Sequence, residues 1–360
     1  MKYLFIVQGE GRGHLTQAIA LSNILRKNNH QVVGVLVGKC KTRAIPEFFL
    51  EKIGAPVKTY HSPNFIWNKN NTDVQLLRTV VYNLRAGKLK KFNKSMEMIH
   101  EEISIKQPDV VINFYEILAG LTNLRFNEEV PFISIAHQFL IMHPKYKYGK
   151  GTEQGKLYLR LNALICSIGS VKKLALSLYP IKDSIQKRIA VVPPLLREEV
   201  LNLKPTNENY ILGYMVSNGY AAEVIKWHKE NPEQEIHIFW DKKDEEEELV
   251  VDKNLTFHKI NDTKFLEYMA GCKAYITTAG FESVCEAMYL GKPIMMIPTH
   301  IEQEINALDA SEAGAGIVSK SFNLTELLDY SKQPLRHKND IKHWIEESEN
   351  YYIRHLTTLV

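Results

Sequence analysis

The chain opens on Tyr3-Leu4-Phe5-Ile6-Val7-Gln8-Gly9-Glu10-Gly11-Arg12-Gly13-His14, an apolar run that stops at a cluster of glycines, and residues 15–25 then repeat apolar side chains at helical spacing. The order is strand, glycine loop, helix. Residues 31–37, 109–112 and 132–135 are further apolar runs of strand length with helical stretches between them. Strands that are apolar throughout and alternate with helices predict a parallel sheet covered on both faces. Residues 190–192 close the series at Pro193 and Pro194, and the polar stretch that follows, to Asn207, reads as an interdomain linker. The pattern then restarts, with strands expected at 210–215, 236–240, 255–258, 274–277 and 294–297 and helices at 223–230, 283–289 and 305–313. An α/β protein of two domains is expected, 1–195 and 196–335. Residues 336–360, with Trp344, Tyr351, Tyr352 and Ile353, read as a final helix that packs back on the body.

A length of 360 residues agrees with two domains, since one core rarely fills so long a chain. An apolar fraction of 45% with 24% charged residues excludes disordered and fibrous classes. No apolar run approaches the roughly 18 residues of a membrane span, and residues 3–7 are too short for a signal-peptide core. Cys40, Cys166, Cys272 and Cys285 form no CxxC pair and meet no histidine cluster at ligand spacing, so a reduced cytoplasm is expected and a metal site is not. The net charge of +4 conceals two opposite halves. Residues 1–200 hold 29 Lys and Arg against 15 Asp and Glu, a net +14 that leaves −10 for the rest.

A basic half predicts a surface that faces an anionic membrane leaflet or phosphorylated lipid. Without zinc-finger spacing or an aromatic RNA-binding signature, nucleic acid is not an expected partner. The densest basic stretch sets Leu76, Leu77, Val80, Val81 and Leu84 at helical spacing ahead of Arg85, Lys88, Lys90, Lys91 and Lys94, with Phe65, Ile66 and Trp67 upstream. Such an amphipathic helix either lies in a lipid interface or packs on its own domain with solvated lysines. The acidic run 244–248 reads as a solvated loop or a helix start.

Two loops carry the chemistry. The first spaces its glycines G-x-G-x-G and not G-x-G-x-x-G, and the second strand runs out at Val37 and Gly38 with no acidic residue for a ribose, which excludes a dinucleotide site. The glycines Gly11 and Gly13 let a ligand approach the backbone beside Arg12, and they bring His14 to a helix start at the carboxyl edge of a sheet. An imidazole with an ordinary pKa of about 6.5 is suited to act there as a general base, or, more plainly, as a helix-end hydrogen-bond partner. The second loop, Thr277-Thr278-Ala279-Gly280-Phe281-Glu282-Ser283, joins a strand to the helix of Glu286 and offers unpaired amides and a positive dipole end to a phosphate. Beyond it, Glu302 and Gln303 stand ready to read sugar hydroxyls just before Asn306 and Ala307.

On these motifs, Gly11 through His14 and Ala279 through Asn306, the chain resembles the GT-B glycosyltransferases, especially families 1 and 28 and the lipid-linked N-acetylglucosaminyltransferase of peptidoglycan synthesis. The resemblance implies two Rossmann-like domains facing across a cleft, with acceptor bound to the first and nucleotide sugar to the second. It places the general base on His14, the ribose ligand on Glu286, donor-sugar contacts on Glu302 and Gln303, and the diphosphate at Gly280, Phe281, Glu282 and Ser283. Ser217 and Asn218 would also face the diphosphate, and the base would lie against residues 258–260, including Ile260, with Phe265 beyond. His137 and Gln138 would point toward the acceptor. The family's aspartate partner of the base falls on Asn113, which can orient His14 but cannot stabilise its charge; Glu116 is the candidate replacement, or an acceptor contact. The implied activity is a metal-independent, inverting hexosyltransferase with a nucleotide-sugar donor, UDP-linked in preference to TDP or GDP, and no further cofactor. Its acceptor would be lipid or polyprenyl-linked, at the cytoplasmic face of the membrane. Two readings compete: a nucleotide-sugar 2-epimerase, whose first strand ends in a Gly-Thr-Arg-Pro-Glu type segment unlike residues 8–14, and a catalytically idle sugar-nucleotide-binding protein, which Asn113 favours.

Overall fold

The computed structural model describes residues 1–9, 11–39, 45–63, 76–146, 153–215, 220–240, 247–335 and 340–358. The first sheet contains β1 (Lys2–Gln8), β2 (Gln31–Lys39), β3 (Val57–His61), β4 (Val110–Phe114), β5 (Phe132–Ile135), β6 (Ser170–Leu176) and β7 (Ile189–Val192). Its seven strands are parallel in the order β3-β2-β1-β4-β5-β6-β7. The second sheet contains β8 (Tyr210–Met215), β9 (Glu235–Trp240), β10 (Glu248–Asp252), β11 (Leu255–Lys259), β12 (Ala274–Thr277), β13 (Ile294–Met296) and β14 (Gly316–Val318). Its order is β10-β11-β9-β8-β12-β13-β14, parallel except for the β10–β11 hairpin. Each sheet therefore reverses its winding once, between β1 and β4 and between β8 and β12. Ligands of open α/β sheets bind at such reversals.

The strands legible in the sequence are those whose side chains are buried on both faces, such as β4, β5 and β12. Four were not. β3 and β10 lie at sheet edges, with only Tyr60 buried in the first and every residue of the second exposed. β6 is interrupted by Lys172 and Lys173, and β14 has only three residues. Gly316 makes β14 possible, because a Cβ there would lie 1.8 Å from the Ile294 carbonyl oxygen of β13. The acidic run does not start a helix: Glu248 opens β10, and residues 244–246 lie outside the described residues.

The basic amphipathic stretch forms two helices, Leu76–Asn83 and Ala86–Lys106. The second buries Phe92, Met96, Ile99 and Ile103, one face at helical spacing, against a core that includes Leu4, Ile6 and Leu118. Val80, Val81, Leu84 and Leu89 remain exposed. Phe65, Ile66 and Trp67 lie outside the described residues.

The end of the chain forms two short helices where one was expected, Ile341–Glu346 and Ser348–Thr357. Both return to the first sheet's domain. Trp344 Nε1 donates to the Ser177 carbonyl at 2.8 Å, Tyr352 Oη to the Pro193 carbonyl at 2.9 Å, and Lys27 pairs with Glu349 at 2.8 Å. Residues of both sheets and of these helices share one continuous core.

Candidate active site

The two winding reversals meet across a cleft of about 660 Å3. From the first domain it is lined by Gly11, Arg12, Gly13, His14 and His137, and from the second by Ile260, Gly280, Phe281, Glu282, Ser283, Glu286, Glu302 and Gln303. The fold thus brings together motifs nearly 300 residues apart in the chain. Ser217 and Asn218 follow β8 but lie outside the described residues. Asn113 and Glu116 do not line the cleft.

Two of the loops at the reversals hold a non-glycine residue in the left-handed region, Tyr115 at φ 57° after β4 and Ala279 at φ 63° after β12. Such a backbone costs about 1–2 kcal/mol per residue and persists only where its surroundings fix it. Around Tyr115 that support is Asn113: its Nδ2 donates to the Glu116 and Cys166 carbonyls at 3.1 and 2.7 Å, and its Oδ1 accepts from Glu116 N at 2.8 Å. Glu116 caps the helix Ile117–Phe126 by accepting from Leu118 N at 3.1 Å, and its carboxylate also accepts from Ser62 Oγ at 2.6 Å. None of these bonds reaches His14, the contact expected of both residues. Asn113 braces a loop, and Glu116 caps a helix.

The partner of His14 is Gln17. His14 lies in the first turn of the helix Arg12–Lys27, buried and stacked on Tyr115 with ring centroids 5.8 Å apart, and its Nδ1 is 3.2 Å from Gln17 Oε1. Residues three apart share a helix face, the one sequence signal that marks this pair. Burial lowers the imidazole to about 4, so it is neutral at neutral pH. His137 stands in the short 3₁₀ helix His137–Met142 after β5 and stacks on Phe281 of the other domain, with centroids 4.3 Å apart and planes within 5°. Burial, and then the charge of His14, lower it to about 3.

On the opposite wall, the helix Phe281–Tyr289 starts at Gly280 with no side-chain cap, so its first amides are open to the cleft. Glu286, a turn in, is gripped by Arg197, whose Nε and Nη2 donate to one carboxylate oxygen at 2.9 and 2.6 Å. Arg197 is buried and also pairs with Asp262. Burial raises Glu286, and Arg197 opposes the rise. Arg197 stands in the stretch read as linker, where nothing in the sequence marked it. Burial pushes Glu282 up to about 8. Glu302 accepts from Gln138 Nε2 at 2.9 Å, a bond between domains. Gln303 Oε1 accepts from Thr299 N and Oγ1 at 2.9 and 2.7 Å, fixing the turn before the helix Ile301–Glu312. Ile260 and Phe265 reach the cleft, whereas His258 turns inward, 2.9 Å from His237 and stacked on Phe239.

Two parallel α/β domains meeting at their winding reversals across such a cleft define the GT-B class of glycosyltransferase. The chain belongs to glycosyl transferase family 1, whose model matches residues 1–333. An uncharacterised glycosyltransferase of Methanosarcina acetivorans is 25% identical over 343 residues, covering 88% of this chain and 83% of that protein. Among solved structures, the glycosyltransferase of kitacinnamycin is similar at TM-score 0.63 and 14% identity, over 98% of this chain and 95% of that one. The calicheamicin glycosyltransferase is similar at TM-score 0.61 and 14% identity, over 99% and 98%. UGT2 of Phytolacca americana, complexed with UDP-2fluoro-glucose and pterostilbene, is similar at TM-score 0.62 and 11% identity, over 97% and 93%. At these identities the likeness is one of fold. The protein is a glycosyltransferase, and its family implies a nucleotide-sugar donor and an acceptor. Among the described residues no helix is long and apolar enough to cross a membrane.

Proposed function

We propose that this glycosyltransferase moves a hexose-type sugar, with inversion, from a UDP-sugar to a hydroxyl of a lipid-linked acceptor. One observation carries the reading: a neutral imidazole, His14, and an uncapped helix start, Gly280 to Ser283, line the same cleft from opposite domains. The acceptor hydroxyl gives its proton to His14 Nε2 as its oxygen attacks the anomeric carbon, and the bond from that carbon to the diphosphate oxygen breaks. The leaving diphosphate gains negative charge, which the amides and dipole at the helix start stabilise. Glu286 accepts from the ribose hydroxyls, Glu302 and Gln303 contact the sugar, Ile260 lies toward the base, and Ser217 and Asn218 complete the diphosphate site. Closure of the domains excludes water, which limits donor hydrolysis. The reaction draws on no cofactor beyond the donor.

The acceptor side favours a lipid at an anionic, cytoplasmic membrane face. Tyr115, Tyr158 and Leu159 give that half of the cleft aromatic and apolar walls. Val80, Val81, Leu84 and Leu89 stand exposed beside Arg85, Lys88, Lys90, Lys91 and Lys94. Apolar and cationic side chains together suit a lipid interface. The deciding experiment is calorimetric titration with UDP, TDP and GDP. Binding of UDP that Glu286→Ala abolishes supports the donor site, and absence of binding by all three nucleotides rejects it.

A further inference from the structure

Gln17 is almost wholly buried, and its amide faces both domains. Its Oε1 meets His14 Nδ1 at 3.2 Å, and its Nε2 donates to Glu282 Oε1 of the second domain at 2.5 Å. Glu282 reaches that amide by packing over Gly13, where a Cβ would lie 3.1 Å from Glu282 Cγ. His14, Gln17 and Glu282 thus form one line of hydrogen bonds across the cleft.

A neutral imidazole carries one N–H. An amide oxygen against Nδ1 draws the proton there and leaves Nε2 with its lone pair free. Turned by half a rotation, the same amide would donate to Nδ1, and the ring proton would sit on Nε2, where it disables a base. Oε1 of Glu282 accepts from that amide as a carboxylate oxygen and, below about pH 8, as the carbonyl oxygen of the protonated acid, so Glu282 decides which way the amide faces, and the amide decides the tautomer. Glutamine carries no charge and stabilises the imidazolium less than an aspartate would, which separates its work from that of the family's usual partner.

We propose that Gln17 is the positioning residue of His14 and that Glu282 sets Gln17 from across the cleft, so that His14 takes its reactive tautomer only when the two domains are closed. The inference rests on His14 being the base and ties that base to the state of the donor domain. The other groups facing His14 are Tyr115 and His137; those facing Glu282 are Glu286, Arg197, Cys285 and Tyr352.

The test is a long-range proton–nitrogen correlation spectrum of the full chain labelled with 15N-histidine, with His14 assigned by its loss in His14→Asn. The wild type is expected to show the Nδ1–H tautomer. Gln17→Met, which keeps the volume, and Glu282→Ala should each shift His14 toward Nε2–H. Gln17→Glu should keep Nδ1–H and raise the ring's titration midpoint by a unit or more, because a carboxylate favours the imidazolium. An Nε2–H ring in the wild type, or a tautomer that Gln17→Met leaves unmoved, overturns the proposal. UDP release from UDP-glucose supplies the kinetic readout. Gln17→Met should lower kcat by about ten- to a hundredfold with donor KM within twofold, and Gln17→Glu should recover rate with its acid limb moved upward. A wild-type rate in His14→Ala rejects the base reading. Loss of rate in His14→Ala with unchanged kcat in Gln17→Met rejects the relay alone.

Discussion

Arg197 shows how much of the site depends on one side chain outside the recognisable loops. It holds buried Glu286 by two donors and the partly exposed Asp262 by a third. Removing one partner of a buried pair leaves an uncompensated charge, so Arg197→Ala should destabilise the fold by about 3–5 kcal/mol, read from chemical denaturation. Arg197→Lys should recover only part, since one ammonium cannot reproduce a planar fork. Titration adds a second residue-scale test. Glu282, at about 8 when folded and 4.5 in its ordinary state, binds more protons folded than unfolded between those values. Its contribution is complete below about pH 4.5 and is lost as pH rises through 8. His14 and His137, held at about 4 and about 3, act in the opposite sense: the unfolded chain takes protons that the folded one refuses, so stability falls as pH drops below about 6.5. Glu282→Gln should therefore flatten the stability loss between pH 5 and 8 and leave the acid side unchanged, which denaturation curves at three pH values would reveal.

At the scale of elements, strands that are apolar on both faces announce themselves, and the loops that follow β1 and β12 do so through glycine. Gln17 and Arg197 do not. Their partners lie 265 and 89 residues away, and no local pattern encodes such a distance. Asn113 misleads for the converse reason: its position at a strand end suggests chemistry, while its three hydrogen bonds serve the left-handed turn at Tyr115. Asn113→Ala should thus destabilise by about 1–3 kcal/mol per group left buried and unpaired, with the His14 tautomer unmoved. Among the helices, Val80, Val81 and Leu84 give the clearest element-scale test of the lipid reading. Val81→Glu with Leu84→Glu should cut cosedimentation with phosphatidylglycerol vesicles at least tenfold and leave UDP affinity unchanged.

Over the whole molecule, the division of charge gives the proposed lipid contact a salt dependence that can be tested. A first half at +14 and a second at −10 form a strong dipole, and the basic half alone would be drawn to an anionic leaflet. Vesicle binding should weaken severalfold between 50 and 300 mM salt, while the apolar contribution of the exposed side chains persists. Most of the architecture was legible because a parallel sheet must bury both faces. Contacts between the domains, such as Gln138 to Glu302 and Tyr179 to Asp309 at 2.9 and 2.7 Å, become visible only when the two sheets are set facing each other across the cleft.

The chain passes between its two halves twice, once after Pro193 and Pro194 and again through the terminal helices that anchor Trp344 and Tyr352. A body joined at one point can swing and twist freely, whereas one joined at two points turns only about the line through them. Any opening of the cleft would thereby be reduced to a single degree of freedom, and reclosure would return Glu282 along the same arc to Gly13.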